Sequence, residues 1–167
     1  MPKSALIQSG QFDFVSSHGQ ITRTASIAAG TQTANSASLV LVRVSKPVLI
    51  TNLSLYIGGA SGNVDVGIFT RNGTTYTLVA SSGSVAAAGT NAIQTIPLTA
   101  PYWLMPGVNY YFGEVADNAT VTIGRTSAVS SSVPAVGLEN GIKASLFPLA
   151  TFTTITASQI SPLIIGT

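Results

Sequence analysis

Cysteine is absent from this chain, and charge is nearly so. Without thiols there is no disulfide, no thiolate metal site and no cysteine nucleophile. Charged residues make up 7% of the 167 residues, against roughly 25% in an average soluble domain. The seven basic residues, Lys3, Arg23, Arg43, Lys46, Arg71, Arg125 and Lys143, are dispersed along the sequence. The net charge of +2 therefore reflects scarcity of both signs and not a basic run. Neutralising a phosphate backbone takes many cations on one face, so no nucleic-acid partner is expected. His18 is the only histidine, and its polar setting beside Gly19 poorly suits a Ser-His-Asp relay. No run approaches the roughly 18 consecutive apolar residues of a membrane-spanning helix, so no membrane association is expected. The stretch MPKSALIQSGQFDF lacks the roughly 7–15-residue apolar core of a signal peptide. Export on a signal of its own is not expected.

What the chain does have is hydrophobic and hydroxyl content. Hydrophobic residues reach 46%, with 16 Gly, 20 Ser and 20 Thr. A buried charge needs a partner, whereas a buried hydroxyl needs a single hydrogen bond. A hydroxyl-rich, charge-poor surface therefore suits a chain that sits against neighbours. The same Thr content also suits a plain β protein, because Thr favours strands. The length fits one domain with a core of its own.

Residues 1–37 read as an extended arm of small polar residues, with room for one strand near Ile21–Ile27. Residues 38–167 read as the folded domain. In SLVLVRVS both faces look buried except at Arg43. Leu49, Leu53, Leu55 and Ile57 can share one face of the next strand, and GGASG (58–62) reads as a hairpin connection. Val64, Val66 and Ile68 alternate with Asp65 and Gly67, and Asn72-Gly73 offers a hairpin turn before Tyr76 and Leu78. Residues 81–91 read as loop. Pro97, between Ile96 and Leu98, marks an edge strand or a bulge. PYWLMPG (101–107) is a turn-rich corner holding the only Trp. In VNYYFGEVA, Val108, Tyr110 and Phe112 can share a face; Val121 and Ile123 point one way in the following strand. Residues 126–147 read as a long loop, followed by closing strands around Phe152, Ile155, Ile160 and Ile164–Ile165. The best helical window, AVGLENGIKASL, is broken by glycines. Frequent turns between short strands predict an all-β fold, a single antiparallel β-sandwich of jelly-roll-like type with an extended N-terminal arm.

Few residues offer chemistry. Glycoside hydrolysis needs two carboxylates facing each other across a cleft, and Asp65 with Glu114 is the one pair on strands that could approach. The competing reading points both outward, paired with Arg43, Arg71 or Arg125. Asp117-Asn118 could lend oxygens to Ca²⁺, but such a site wants about six to eight ligands, and a turn is the better reading. Tyr56, Tyr102, Trp103 and Tyr111 are candidates for an interface or for a platform that stacks on sugar rings. Core or subunit interface is the better reading, with Trp103 and Tyr110 in the core and Tyr111 on the opposite face of its strand. Catalytic residues, a metal site and a cofactor are not expected; no phosphate loop, dinucleotide fingerprint or zinc spacing is present.

ITNLSLYIGGASGNVDVGIF and IPLTAPYWLMPGVNYYFGEVADNATVTIG together resemble small β-sandwich proteins encoded among the structural genes of tailed bacteriophages. In that group a hairpin reads "I..l.lyv...sG.v.vgIy" and a later segment "v.L..p..L.pG.YY.a...d". The resemblance rests on Ile50–Phe69 and Ile96–Ile123, about half of the chain. It implies a non-enzymatic virion protein: a capsid decoration (cement) subunit, a head fibre, or a tail appendage. The repetitive shaft, coiled coil or β-helix of a tail fibre is not seen here, which favours the decoration protein. Such proteins sit as homotrimers on the major capsid protein, so other virion proteins are the implied partners and the virion, assembled in the host cytoplasm, the implied location. The alternative is a tail-associated receptor- or carbohydrate-binding module, with a glycan as its ligand.

Overall fold

A computed structural model of the chain describes residues 30–31, 34, 37–124 and 164–167, and the backbone of 15–16, 27–29, 125–126, 136–139, 151–152, 156–158 and 161–162. No helix occurs among the described residues. In chain order the strands are β1 (Val15–Ser16), β2 (Ile27–Thr31), β3 (Ala37–Val42), β4 (Val48–Gly59), β5 (Asn63–Asn72), β6 (Thr75–Ser81), β7 (Val85–Ala86) and β8 (Ala92–Leu104). They continue with β9 (Tyr110–Ala116), β10 (Thr122–Thr126), β11 (Val136–Glu139), β12 (Thr151–Phe152), β13 (Thr156–Ser158), β14 (Ser161–Pro162) and β15 (Ile164–Gly166).

Two antiparallel sheets pack face to face. The first runs β1-β15-β4-β10-β14, with β8 on the other edge of β4 and β2 on β10. The second runs β12-β6-β5-β9-β3-β11-β13, with β7 added to β5. The expected all-β sandwich is therefore the fold. Consecutive strands repeatedly change sheets: β3 to β4, β4 to β5, β8 to β9 and β9 to β10. This exchange gives the sandwich its jelly-roll character. Parts of the segment read as an arm pair with the first sheet. Val15–Ser16 lies on β15 and Ile27–Thr31 on β10, while Ala37 begins β3 and is buried.

The core between the sheets follows strand alternation. Val40 and Val42, then Val64, Val66 and Ile68, then Tyr110 and Phe112 line it from the second sheet. Ile50, Leu53, Leu55, Ile57, Ile96, Leu98, Leu104, Val121, Ile123 and Ile164 line it from the first. The second sheet is apolar on its other face too, where Ala37, Leu39, Phe69, Tyr76, Tyr111 and Val115 form a separate buried cluster. That double burial explains why SLVLVRVS has no polar phase before Arg43.

Several local expectations are corrected. Leu49 does not share the inner face with Leu53. A register shift between Ile50 and Asn52 moves the alternation by one residue, so Ile50 is buried and Leu49 is exposed. The irregular backbone is satisfied by Thr167, whose carbonyl accepts from Thr51 N–H at 2.7 Å and Asn52 N–H at 2.9 Å. GGASG is not a hairpin; it carries the chain from one sheet to the other. The β5–β6 hairpin pairs Asn72 with Thr75, so its two-residue turn is Gly73-Thr74, one residue later than expected. Gly73 takes φ of 59°, as the first position of a mirror-image turn requires. The 81–91 stretch contains β7, paired with Asn63–Val64. Within 126–147, Val136–Glu139 is a strand between β3 and β13. Val108 lies outside β9 and is exposed. Pro97 marks both features expected of it: among the described residues β8 pairs only with β4, and Pro97 stands opposite Asn52 at the register shift. Edge prolines blunt further strand pairing.

Candidate functional site

Among the candidate groups, the carboxylates come first. Asp65 and Glu114 do sit on neighbouring strands, but on opposite faces of one sheet. Val66 is directly opposite Glu114, and Asp65 is directly opposite Val115. Val66 faces the inter-sheet core and Val115 the outer cluster. The two carboxylates thus have the sheet between them and share no cleft, which removes the paired-carboxylate arrangement. Neither reaches solvent, since both are buried. Glu114 lies on the inner face, across from Ser38.

Asp65 is held by Ser82. The Ser82 hydroxyl donates to Asp65 Oδ1 at 2.9 Å and accepts from Val66 N–H at 3.1 Å. Burial pushes the Asp65 carboxyl up to about 6 from 3.8, and the Ser82 hydrogen bond opposes only part of that rise. Between these values the folded chain binds more protons at this site than the unfolded chain does. Stability is therefore lost as pH rises from about 4 through 6. Asp65→Asn is expected to remove that slope and to raise stability at pH 7 by roughly 1–2 kcal/mol, allowing for partial hydration of the carboxylate. Urea unfolding of both proteins from pH 4 to pH 8 checks it, and parallel curves would contradict it.

Asp117 and Asn118 build a knot at the β9–β10 connection. Asp117 Oδ1 accepts from Asn63 N–H at 2.9 Å and from Asn118 Nδ2 at 2.8 Å; Asp117 Oδ2 accepts from Asn63 Nδ2 at 2.7 Å. Asn118 Oδ1 accepts from Thr120 N–H, the Thr120 hydroxyl and Val121 N–H. The Asn63 backbone donor is the leading reason the Asp117 carboxyl lies below its ordinary range. These oxygens serve the turn, as the turn reading of the sequence has it. The knot joins the β4–β5 connection at Asn63 to the β9–β10 connection at Asp117.

The four aromatic candidates do not form one platform. Tyr111 is buried in the outer cluster, edge-on to Tyr76 with ring centres 5.0 Å apart. Tyr102 is half-buried against the inter-sheet core, edge-on to Tyr110 at 6.1 Å. Tyr56 is half-buried and donates to Asn91 Oδ1 at 3.2 Å. Trp103 is 55% exposed and so is not core. Tyr56 and Trp103 both belong to the β4–β8 pair, opposite Ile93 and Leu49 respectively. Seven residues of β4 separate those two positions, about 23 Å of strand. His18 and the side chains of Asp13, Glu139 and Arg125 lie outside the described residues.

Trp103 instead has neighbours that the sequence reading missed. Leu49 is its direct cross-strand partner. Met105 is 47% exposed and Val108 39% exposed, both in the β8–β9 connection that follows. The connection is tied down where Met105 N–H donates to the Tyr110 hydroxyl at 3.0 Å. Leu49, Trp103, Met105 and Val108 are four of the five exposed large hydrophobics among the described residues, so the apolar exposure is concentrated at one end of the sandwich. Leu49 and Val108 went unread because simple alternation placed both on core faces.

Three cations that are far apart in sequence lie toward the same end, with the guanidinium of Arg71 held on the outer face of the second sheet. Val42, Tyr110 and Thr70 lie in one row across β3, β9 and β5. Arg43 and Arg71 are the next residues beyond that row, and Lys46 follows in the β3–β4 connection; all three are exposed. Arg43 Nε donates to Asn109 Oδ1 at 2.8 Å. Arg71 Nε donates to the Gly73 carbonyl at 2.8 Å, and its guanidinium lies 5.1 Å from the Tyr76 ring centre. Only residue register across the sheet could have exposed this grouping.

Comparison with protein-family models, with curated proteins and with solved structures returns no match to this chain.

Proposed function

We propose that the chain is a non-enzymatic structural protein of a tailed-phage virion, a capsid decoration subunit that binds neighbouring capsid proteins as a homotrimer. The observation that carries the reading is the exposed surface of Leu49, Trp103, Met105 and Val108, four of the five exposed large hydrophobics among the described residues. Trp and Met are enriched where protein surfaces bury one another. The separation of Asp65 from Glu114 supports a binding role over hydrolysis. The sequence resemblance supplies the virion context, with assembly in the host cytoplasm.

The mechanism is linkage. A subunit that binds the closed shell and not its open form stabilises the closed shell in proportion to its occupancy. Contacts of about 1,000 Å² or more are what specific interfaces need. Particles produced without this chain are expected to open several degrees below particles that carry it, measured by dye access to the packaged DNA on heating. Equal opening temperatures would contradict the decoration role.

The exposure of Trp103 favours one second reading, a tail-associated module that stacks this indole on a sugar ring. Antibody labelling of whole particles separates the two: label over the head supports decoration, and label at the tail supports the glycan module.

A further inference from the structure

We propose that the outer face of the β4–β8 pair is the surface through which copies of this chain pack on one another around a symmetry axis. The inference rests on the homotrimer of the proposed function for the number of copies, and it assigns the seam between them.

Strand register puts the whole surface on one face. Leu53, Leu55 and Ile57 of β4 and Ile96 of β8 point into the core, so the residues between them point out. Val48 and Ile50 pack on the core on either side of Leu49, and Tyr102 and Leu104 do so on either side of Trp103. Leu49 stands directly opposite Trp103, Ser54 opposite Thr95, and Tyr56 opposite Ile93. Leu49, Trp103 and Ile93 are all exposed, Ile93 the most at 62%. The strip therefore has an apolar pair near each end, about 23 Å apart along β4, and a hydroxyl pair between them.

Charge selects the occupant. Neither β4 nor β8 contains Asp, Glu, Lys, Arg or His. Near a symmetry axis a residue faces its own copy, so a charge there is repelled by itself. A strip without charge escapes that cost. Its polar side chains need no foreign partner either. The Ser54 and Thr95 hydroxyls are bonded to each other at 2.9 Å, and Tyr56 donates to Asn91 Oδ1 at 3.2 Å. Asn52 Nδ2 donates to the Thr51 hydroxyl at 2.8 Å.

Other arrangements fit less well. Edge-to-edge extension of the sheet through β8 is blocked at Pro97 and Pro101, which have no N–H to donate. A different protein, with about 25% charged residues, would bury charges that nothing on this strip can pair. A neutral sugar is oriented by a few converging polar groups, and those of the strip are already engaged with one another.

The test is the mass of the purified full chain in solution, by light scattering over a range of concentrations. Three times the chain mass is expected for the parent. Thr95→Glu and Ile93→Lys place opposite charges on exposed positions of the strip, and each is expected to weaken association about a hundredfold or more. Thr95→Gln, of the same shape as the Glu variant but neutral, is expected to stay assembled. Trp103 is the only tryptophan, so its emission is expected to move to the red as each charged variant comes apart. Far-ultraviolet circular dichroism like that of the parent shows that the variants are folded.

Four results would overturn the proposal. They are a parent that stays a single chain at every concentration, charged variants that stay assembled, a Glu and a Lys variant that respond in opposite directions, and a single-chain parent whose Trp103 emission shifts with a neutral oligosaccharide. The last would assign the strip to a sugar chain. A single chain that still raised the opening temperature of particles would remove the seam and leave the decoration role standing. An assembled chain that left that temperature unchanged would do the reverse.

Discussion

Phe112→Ala is expected to remove about 3–5 kcal/mol of folding stability. Phe112 is fully buried on β9, the strand at the centre of the second sheet. Its direct cross-strand neighbours are Val40 on β3 and Ile68 on β5, and its face meets the apolar layer of the first sheet. Deleting the ring loses its transfer free energy and leaves a cavity that three paired strands cannot close. For a chain of this size the total stability is of the order of 5–15 kcal/mol, so the variant sits near the limit of folding. Phe112→Leu, which keeps most of the volume, is expected to cost much less. Thermal unfolding followed by circular dichroism checks both, and an Ala variant within about 1 kcal/mol of the parent would contradict the packing described here.

Gly62→Ala is expected to cost about 2–4 kcal/mol, from backbone conformation and lost hydrogen bonds together. Gly62 has φ of 60°, and a methyl group there would lie 1.8 Å from Asn118 Nδ2 and 2.3 Å from Asp117 Oδ1. Those atoms cannot step aside freely, because Asp117 is bonded to Asn63 and Asn118 to Thr120 and Val121. Gly73 supplies the control. Its φ is 59°, and an added Cβ there meets nothing within 4 Å. Gly73→Ala therefore carries the conformational cost alone, about 1–2 kcal/mol. Both positions have φ near 60° and only Gly62 adjoins the knot, so the larger loss is expected at Gly62. Equal losses would mean that Asp117 and Asn118 move out of the way at no cost.

How far the sequence revealed this fold depends on what each residue's neighbours are. Val64, Val66 and Ile68 were legible because their strand runs without irregularity up to Ile68, so period-two alternation names the core face directly. Leu49 was not legible, because the register shift beside Ile50 reverses the alternation and no composition rule announces it. Asp65 and Glu114 show the same limit on a larger scale. Each was visibly in a core strand, yet only the pairing of Val66 with Glu114 decides that the two carboxylates face away from each other. Loop chemistry marked GGASG as a turn, but the step from one sheet to the other depends on which strands pair. Ser82 was hidden in a Ser/Gly stretch, where nothing local singles out the hydroxyl that meets Asp65.

The surface was the hardest part to read. Trp103 sits in a turn-rich corner, where strand alternation carries no weight and large aromatics are as suited to core as to interface. Arg43, Lys46 and Arg71 look dispersed in a linear reading and converge only through the row formed by Val42, Tyr110 and Thr70. Gly62 and Asp117 do structural work here, in the knot that joins their two connections. Leu49, Met105 and Val108 lie at the opposite end of the sandwich from that knot.

The central claim is that this chain stabilises a shell by docking on it, and returning the purified full chain to particles assembled without it tests that claim most directly. Saturable binding over the head, with the opening temperature restored to that of complete particles, is the expected result. Particles that bind none of the added chain, or that bind it and open at an unchanged temperature, would contradict it.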